Sequence, residues 1–201
     1  MNPMESRREF ELAVVEGALQ GAPVEPACAA RFARLLGYDE RLLLLLQKYQ
    51  GPWRTRVAHA LTTVGDGRSW AAVGLAFLAT GQARGVHVGL RLFAGATLGA
   101  LAAQVLKRTL NRRRPDTAIE GFEALAENPD SFSFPSGHTA AAFGVAVALA
   151  GEPYCAGPVS LLLATGISLS RVYLGAHYPL DVLVGGMLGA AAGAGARALV
   201  P

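Results

Sequence analysis

Apolar residues gather in five segments, roughly 69–82, 86–106, 136–150, 158–174 and 179–199, separated by charged or turn-forming stretches. None alternates strictly over a length that suits a barrel strand. The pattern therefore predicts an all-α protein, a polytopic transmembrane helical bundle of about five spans. A span takes about 20 residues, so the first and third segments must extend into their flanks or tilt little. Gly95 and Gly99, and again Gly185, Gly189 and Gly193, recur four residues apart. Such small-residue stripes let helix backbones approach closely, either inside one bundle or between two copies, so a homo-oligomer formed through glycine-rich faces is one expectation.

The first 66 residues follow a different pattern. Residues 5–19 mix charged and apolar positions at helical spacing, Pro23 and Pro26 break the run, and 27–36 reads as a short helix with Arg31 and Arg34 on one side. Residues 42–46 are strongly apolar but too short to span. The expectation is an N-terminal region, 1–66, of amphipathic helices lying at the membrane interface or packed against the bundle, followed by a transmembrane core, 67–201. The Gly65-Asp66-Gly67 turn marks the junction. Residues 1–20 do not read as a signal peptide, because Arg7 and Arg8 are followed by Glu9, Glu11 and Glu16 rather than by an apolar run. Insertion is then expected to use the internal spans. Arg31, Arg34, Arg41, Lys48, Arg54, Arg56 and Arg68 precede the first span and favour a cytoplasmic N-terminus; five spans would put the polar loops discussed below on that same side of a cell membrane.

Composition supports lipid as the main solvent. Only 16% of residues are charged and 52% are hydrophobic, against about a quarter charged in a soluble domain. The net charge of +3 suits an anionic surface or substrate but not nucleic acid. Cys28 and Cys155 lack metal-ligand spacing and read as two unpaired thiols. No metal and no other cofactor is expected.

Three polar clusters interrupt the apolar background. Lys107 to Pro115 closes the second segment, Pro135-Ser136-Gly137-His138 opens the third, and Ser170 to Asp181 joins the last two. Singly, each has an ordinary reading: a basic membrane anchor, a helix N-cap at Ser136, and a helix start at Pro179. Alternation of the spans, however, puts all three at one membrane face, where buried ionisable groups mark function. Lys107, Arg114 and Arg171 can neutralise a phosphoryl group in transfer. The helix beginning near Ser136 offers backbone N–H groups, and Gly137 permits close approach. His177 has Asp181 four residues on to orient its ring, which makes it the candidate nucleophile and leaves His138 as the acid.

These clusters resemble the tripartite signature of the type-2 phosphatidic acid phosphatase superfamily, the lipid phosphate phosphatases. Lys107 is followed by six residues and Arg114-Pro115, the second motif is Pro135-Ser136-Gly137-His138, and Ser170-Arg171 is followed by five residues, His177, three residues and Asp181. The resemblance covers roughly 65–199. It implies a helical bundle with the motifs at one end and a metal-independent phosphatase working through a phosphohistidine on His177. His138 would be the acid, and Lys107, Arg114, Ser136, Gly137 and Arg171 would hold the phosphate. The implied partner is a lipid phosphate within the bilayer: polyprenyl phosphate or diphosphate, phosphatidic acid, phosphatidylglycerol phosphate or a sugar-lipid phosphate. A vanadium-dependent haloperoxidase, a secreted acid phosphatase and a non-catalytic phospholipid-binding or transport membrane protein are the rival readings. The connector 116–130 is acidic through Glu120, Glu123, Glu127 and Asp130. It reads either as a lid, with Phe122 and Phe132 touching lipid, or as a solvated loop.

Overall fold

The computed structural model describes residues 26–127, 130–152 and 156–201. Helix α1 spans Pro26–Gln47, α2 Pro52–Val64, α3 Gly67–Ala79, α4 Ala83–Leu110, α5 Pro115–Ala118, α6 Gly137–Ala148, α7 Ala156–Tyr173 and α8 Pro179–Leu199. The fold is all-helical, as the pattern predicts; a single antiparallel bridge, Arg113 to Phe132, is the extended pairing among the described residues. The helix expected over 5–19, the Cys28 side chain and Cys155 lie outside the described residues.

Local chemistry sets the helix ends. Pro52, Pro115 and Pro179 sit in the first turns of α2, α5 and α8, where a missing N–H costs no hydrogen bond and φ is already helical. Helix α4 stops at Asn111, whose φ of 42° is left-handed, a conformation asparagine tolerates better than most residues. The separate stretches 27–36 and 42–46 prove to be one helix, because no proline interrupts the chain between 27 and 47. That helix packs on α7 and α8, with Leu43 fully buried beside Val172 and Tyr178.

Helix α4, at 28 residues, is about 42 Å long, and α8, at 21, about 32 Å. Both are long and apolar enough to cross a bilayer. Helices α3 and α6 have only 13 and 12 residues, about 20 and 18 Å, short of the ~30 Å hydrocarbon core. Helix α6 is the centre of the bundle, enclosed by α4, α7 and α8 and buried along most of its length. The outer surfaces carry Leu101, Leu162, Leu183 and Met187, all exposed, a surface suited to lipid contact.

The glycine stripes are used within the chain. A Cβ at Gly99 would lie 2.3 Å from the Ala140 carbonyl oxygen of α6, and one at Gly189 would lie 2.3 Å from that same oxygen. Gly95 and Gly193 meet Gly144 in the same way. Helices α4 and α8 thus clasp α6 from two sides, so these stripes pack inside one bundle, the first of the two uses the pattern allows. At the opposite end from the polar clusters, Arg91 donates to Glu152 at 2.7 Å and to the Val200 carbonyl at 2.8 Å, tying the C-terminus to α4. A Gly99→Val substitution is expected to force α4 from α6 and destabilise the protein by at least ~1–3 kcal/mol, read as a lowered thermal midpoint in detergent.

Candidate active site

The clasp around α6 brings the C-terminal end of α4, the N-terminal ends of α6 and α8 and the C-terminal end of α7 to one place. A cavity of about 530 Å³ opens there, and Lys107, Arg114, Gly137, His138, Arg171 and His177 all line it. The cavity continues away from these groups along one stripe of α4, through Gln104, Leu101, Ala100, Thr97 and Phe93, with Trp70 of α3 and Ala141 of α6 as its other walls.

Each candidate residue is held by a traceable local feature. Gly175, with φ of 73°, turns the chain out of α7; the N–H groups of Ala176 and His177 then both donate to the Arg171 carbonyl. This fold-back buries His177 to 1% exposure. Its Nδ1 lies 3.5 Å from Asp181 Oδ2, close enough for charge interaction but longer than a hydrogen bond. Asp181 is fully buried and is fixed by others: Oδ2 accepts from the Tyr178 N–H at 2.9 Å and Oδ1 from Arg112 Nη1 at 2.6 Å. Gly137 has open space where a side chain would project. Ser136 is set back from the cavity: its fully buried hydroxyl accepts from Thr139 Oγ1 at 3.0 Å and caps α6, while its N–H donates to the Asp181 carbonyl at 3.0 Å.

The three cations are anchored unequally. Arg171 Nη1 donates to Thr62 Oγ1 at 2.7 Å. Lys107 Nζ donates to Asp130 Oδ2 at 2.8 Å, and Arg114 donates through Nη2 to Asp130 Oδ1 at 2.5 Å and through Nη1 to the Ala176 carbonyl at 2.7 Å. The Asp130 carboxylate thus takes up donors that an incoming anion would use. Burial opposes its ionisation, but Lys107 and Arg114 outweigh that and hold its carboxyl below the ordinary range. The remainder of the acidic connector differs from the lid reading. Phe122 packs over Gly175 and beside the Leu43 cluster, and Leu125 N–H donates to the Leu174 carbonyl at 2.8 Å. Phe122 is therefore partly buried against protein.

Four contributors escape a sequence reading. Asp66, read only as part of a turn, places Oδ1 2.7 Å from His138 Nε2. Thr62 holds Arg171. Arg112, inside the first motif but not one of its fixed positions, reaches Asp181 on one side and the buried Asp39 at 2.7 Å on the other. Its guanidinium stacks 3.9 Å from the centre of the Tyr178 ring. Burial pushes the Asp39 carboxyl above its ordinary value despite Arg112. These hydrogen-bonded pairs are 69 to 109 residues apart, so no local spacing announces them.

Comparison with known proteins settles the lineage. The PAP2 superfamily model matches residues 88–201. The chain belongs to the PAP2 superfamily. This agrees with the resemblance carried by the three motifs. A relative from Mycolicibacterium smegmatis, named decaprenylphosphoryl-5-phosphoribose phosphatase, is 34% identical over 81% of this chain and 77% of its own length. Other curated relatives match over about half their own length. The crystal structure of Aquifex aeolicus LpxE superposes with a TM-score of 0.67 at 28% identity, over 78% of this chain and 92% of that one. A transmembrane PAP2-type phosphatidylglycerolphosphate phosphatase from Bacillus subtilis shares the fold over 99% of this chain and 96% of its own, with a TM-score of 0.68 at 24% identity.

Two outcomes follow for this PAP2 protein. Burial drives the His177 ring down to about 4, and Arg171 and Arg114 add to that against the pull of Asp181. The unfolded chain takes that proton near 6.5, so the contribution is fully present above about pH 6.5 and lost as pH falls toward 4. Thermal midpoints measured across that window should fall in the native protein and fall less in His177→Asn. Separately, Asp130→Asn removes the internal anion from Lys107 and Arg114. Inhibition by inorganic phosphate should then tighten by about tenfold, the scale of one charge-assisted hydrogen bond; an unchanged inhibition constant would show that Asp130 does not compete for those donors.

Proposed function

We propose that the protein hydrolyses a polyprenyl-linked phosphate ester or diphosphate in the membrane, with His177 as nucleophile. Its class is that of its relatives, the membrane lipid phosphatases. The observation that carries the reading is the continuity of the cavity. One end gathers Lys107, Arg114, Arg171 and two imidazoles; the rest is an apolar groove along α4 from Lys107 to Phe93, about 21 Å over 14 residues. Thr97, Ala100, Leu101 and Gln104 are exposed along it, so the groove is open on its lipid-facing side. A phosphate at the charged end would leave a single long chain lying along Leu101, Ala100, Thr97 and Phe93, which suits a prenyl lipid. The named substrate of the Mycolicibacterium relative, a decaprenyl lipid, points the same way.

The reaction divides among groups already placed. His177 is neutral and keeps Nδ1 toward Asp181, leaving Nε2 to attack phosphorus. The N–P bond forms as the P–O bond to the lipid breaks, and His138 gives its proton to the leaving oxygen. Charge spread over the equatorial oxygens is met by Lys107, Arg114, Arg171 and the open N-terminus of α6 at Gly137. Water then attacks the phosphohistidine, His138 takes its proton back, and phosphate leaves. Asp181 steadies the positive ring throughout. The positive charge required is supplied by fixed side chains, so full turnover is expected in excess chelator.

Phosphate release from purified protein in detergent tests this directly. The panel should contain undecaprenyl phosphate, farnesyl diphosphate, phosphatidic acid, phosphatidylglycerol phosphate and soluble p-nitrophenyl phosphate. Prenyl substrates should exceed the others in kcat/KM, and His177→Ala should release none from any of them while still folding, read as one cooperative melting transition. Equal rates on the soluble ester would remove the groove from the reading; a working His177→Ala enzyme would remove the nucleophile.

A further inference from the structure

Asp39, Arg112 and Asp181 form a chain of charge, its two carboxylates buried and its arginine partly so, that reaches from the N-terminal helix to His177. Arg112 Nη1 donates to Asp181 Oδ1 at 2.6 Å and Nη2 to Asp39 Oδ2 at 2.7 Å. Asp39 is 4% exposed and Asp181 0%. The second Asp39 oxygen accepts from the Leu180 N–H at 2.8 Å, in the first turn of α8 and next to Asp181. Neither Asp39 nor Arg112 lines the cavity. Burying a second carboxylate here is costly, and packing alone gives no reason for it.

The charge balance gives a reason. Paired with Asp181 alone, Arg112 would neutralise it and weaken its pull on the imidazole. Sharing Arg112 with Asp39 leaves the three groups with a net charge of −1. A His177 ring that turns positive as its N–P bond forms would bring the set to zero. We propose that Asp39 and Arg112 are positioning residues that keep Asp181 both oriented and negatively charged, so that α1 is a working part of the active site. The inference rests on the reading of His177 as nucleophile.

The test uses the full-length protein in detergent, with acid-quenched ³²P labelling from a labelled substrate. Asp39→Asn is nearly isosteric and takes no contact from the cavity. It is expected to slow phosphohistidine formation and kcat by about 10- to 100-fold, the scale of a displaced catalytic group, with KM and vanadate inhibition unchanged. Asp39→Glu should recover part of the loss. Placed on Asp181→Asn, Asp39→Asn should add little, because both act through one carboxylate. If Asp39→Asn lowers folding yield, Arg112→Lys, which keeps the charge but loses the fork, supplies the same kinetic comparison. Wild-type kcat in Asp39→Asn, or a loss that adds fully to that of Asp181→Asn, overturns the inference. Label on His177 in the native enzyme but formed at an unchanged rate in Asp39→Asn refutes this inference alone. Absence of label from His177 in the native enzyme refutes the nucleophile reading instead.

Discussion

The architecture depends on how closely three helix backbones meet. Gly99 and Gly189 both pack against the Ala140 carbonyl, and Gly95 and Gly193 against Gly144, so α4 and α8 touch α6 with no side chain between them. In lipid there is little hydrophobic drive to bring helices together, and close van der Waals contact does much of that work. The same contact sets function. Gly185 seats the second turn of α8 on the Ser136 backbone, and the Ser136 N–H bonds to the Asp181 carbonyl. The ends of three helices, each carrying part of the polar constellation, are thereby fixed to within a side chain's reach.

That convergence buries many charges, and the structure compensates them in two separate ways. Toward the cavity, Asp130 sits between Lys107 and Arg114, so the cations are partnered in the resting protein. Behind His177, Arg112 lies between Asp39 and Asp181. Isolated, any of these groups would bear a desolvation penalty of several kcal/mol; linked, each carries its counter-charge. The difference between the two clusters is access. Asp130 lies on the cavity wall, where an anion can replace it, whereas Asp39 and Asp181 are closed off.

Much of this was legible in the chain. The five apolar segments became α3, α4, α6, α7 and α8, because hydrophobic runs flanked by proline, asparagine or charge leave few alternatives to helix. The motif residues stood out for a related reason: ionisable groups are conspicuous in an apolar background. What stayed hidden had no local signature. Asp39 reads as one more polar residue on an amphipathic helix, and Asp66 as a turn former. Ser136 reads as a phosphate ligand by its motif, yet its hydroxyl is turned to Thr139. The lengths of α3 and α6 were ambiguous because a central helix and a membrane span share one composition. The seat of Phe122 was hidden too, because a ring in an acidic loop gives no hint that Gly175 leaves it room.

The sideways opening of the groove along α4 has a consequence for kinetics. Under the proposed function, a lipid that enters between Thr97 and Gln104 would arrive by lateral diffusion within the leaflet, so the quantity that governs encounter would be its mole fraction among lipids, not its molarity in the buffer. Adding inert detergent at constant enzyme and substrate would then depress the rate by surface dilution alone. Comparisons between lipids carry meaning only at matched mole fraction, and competition from abundant bilayer lipids for the same groove becomes part of how selectivity is set.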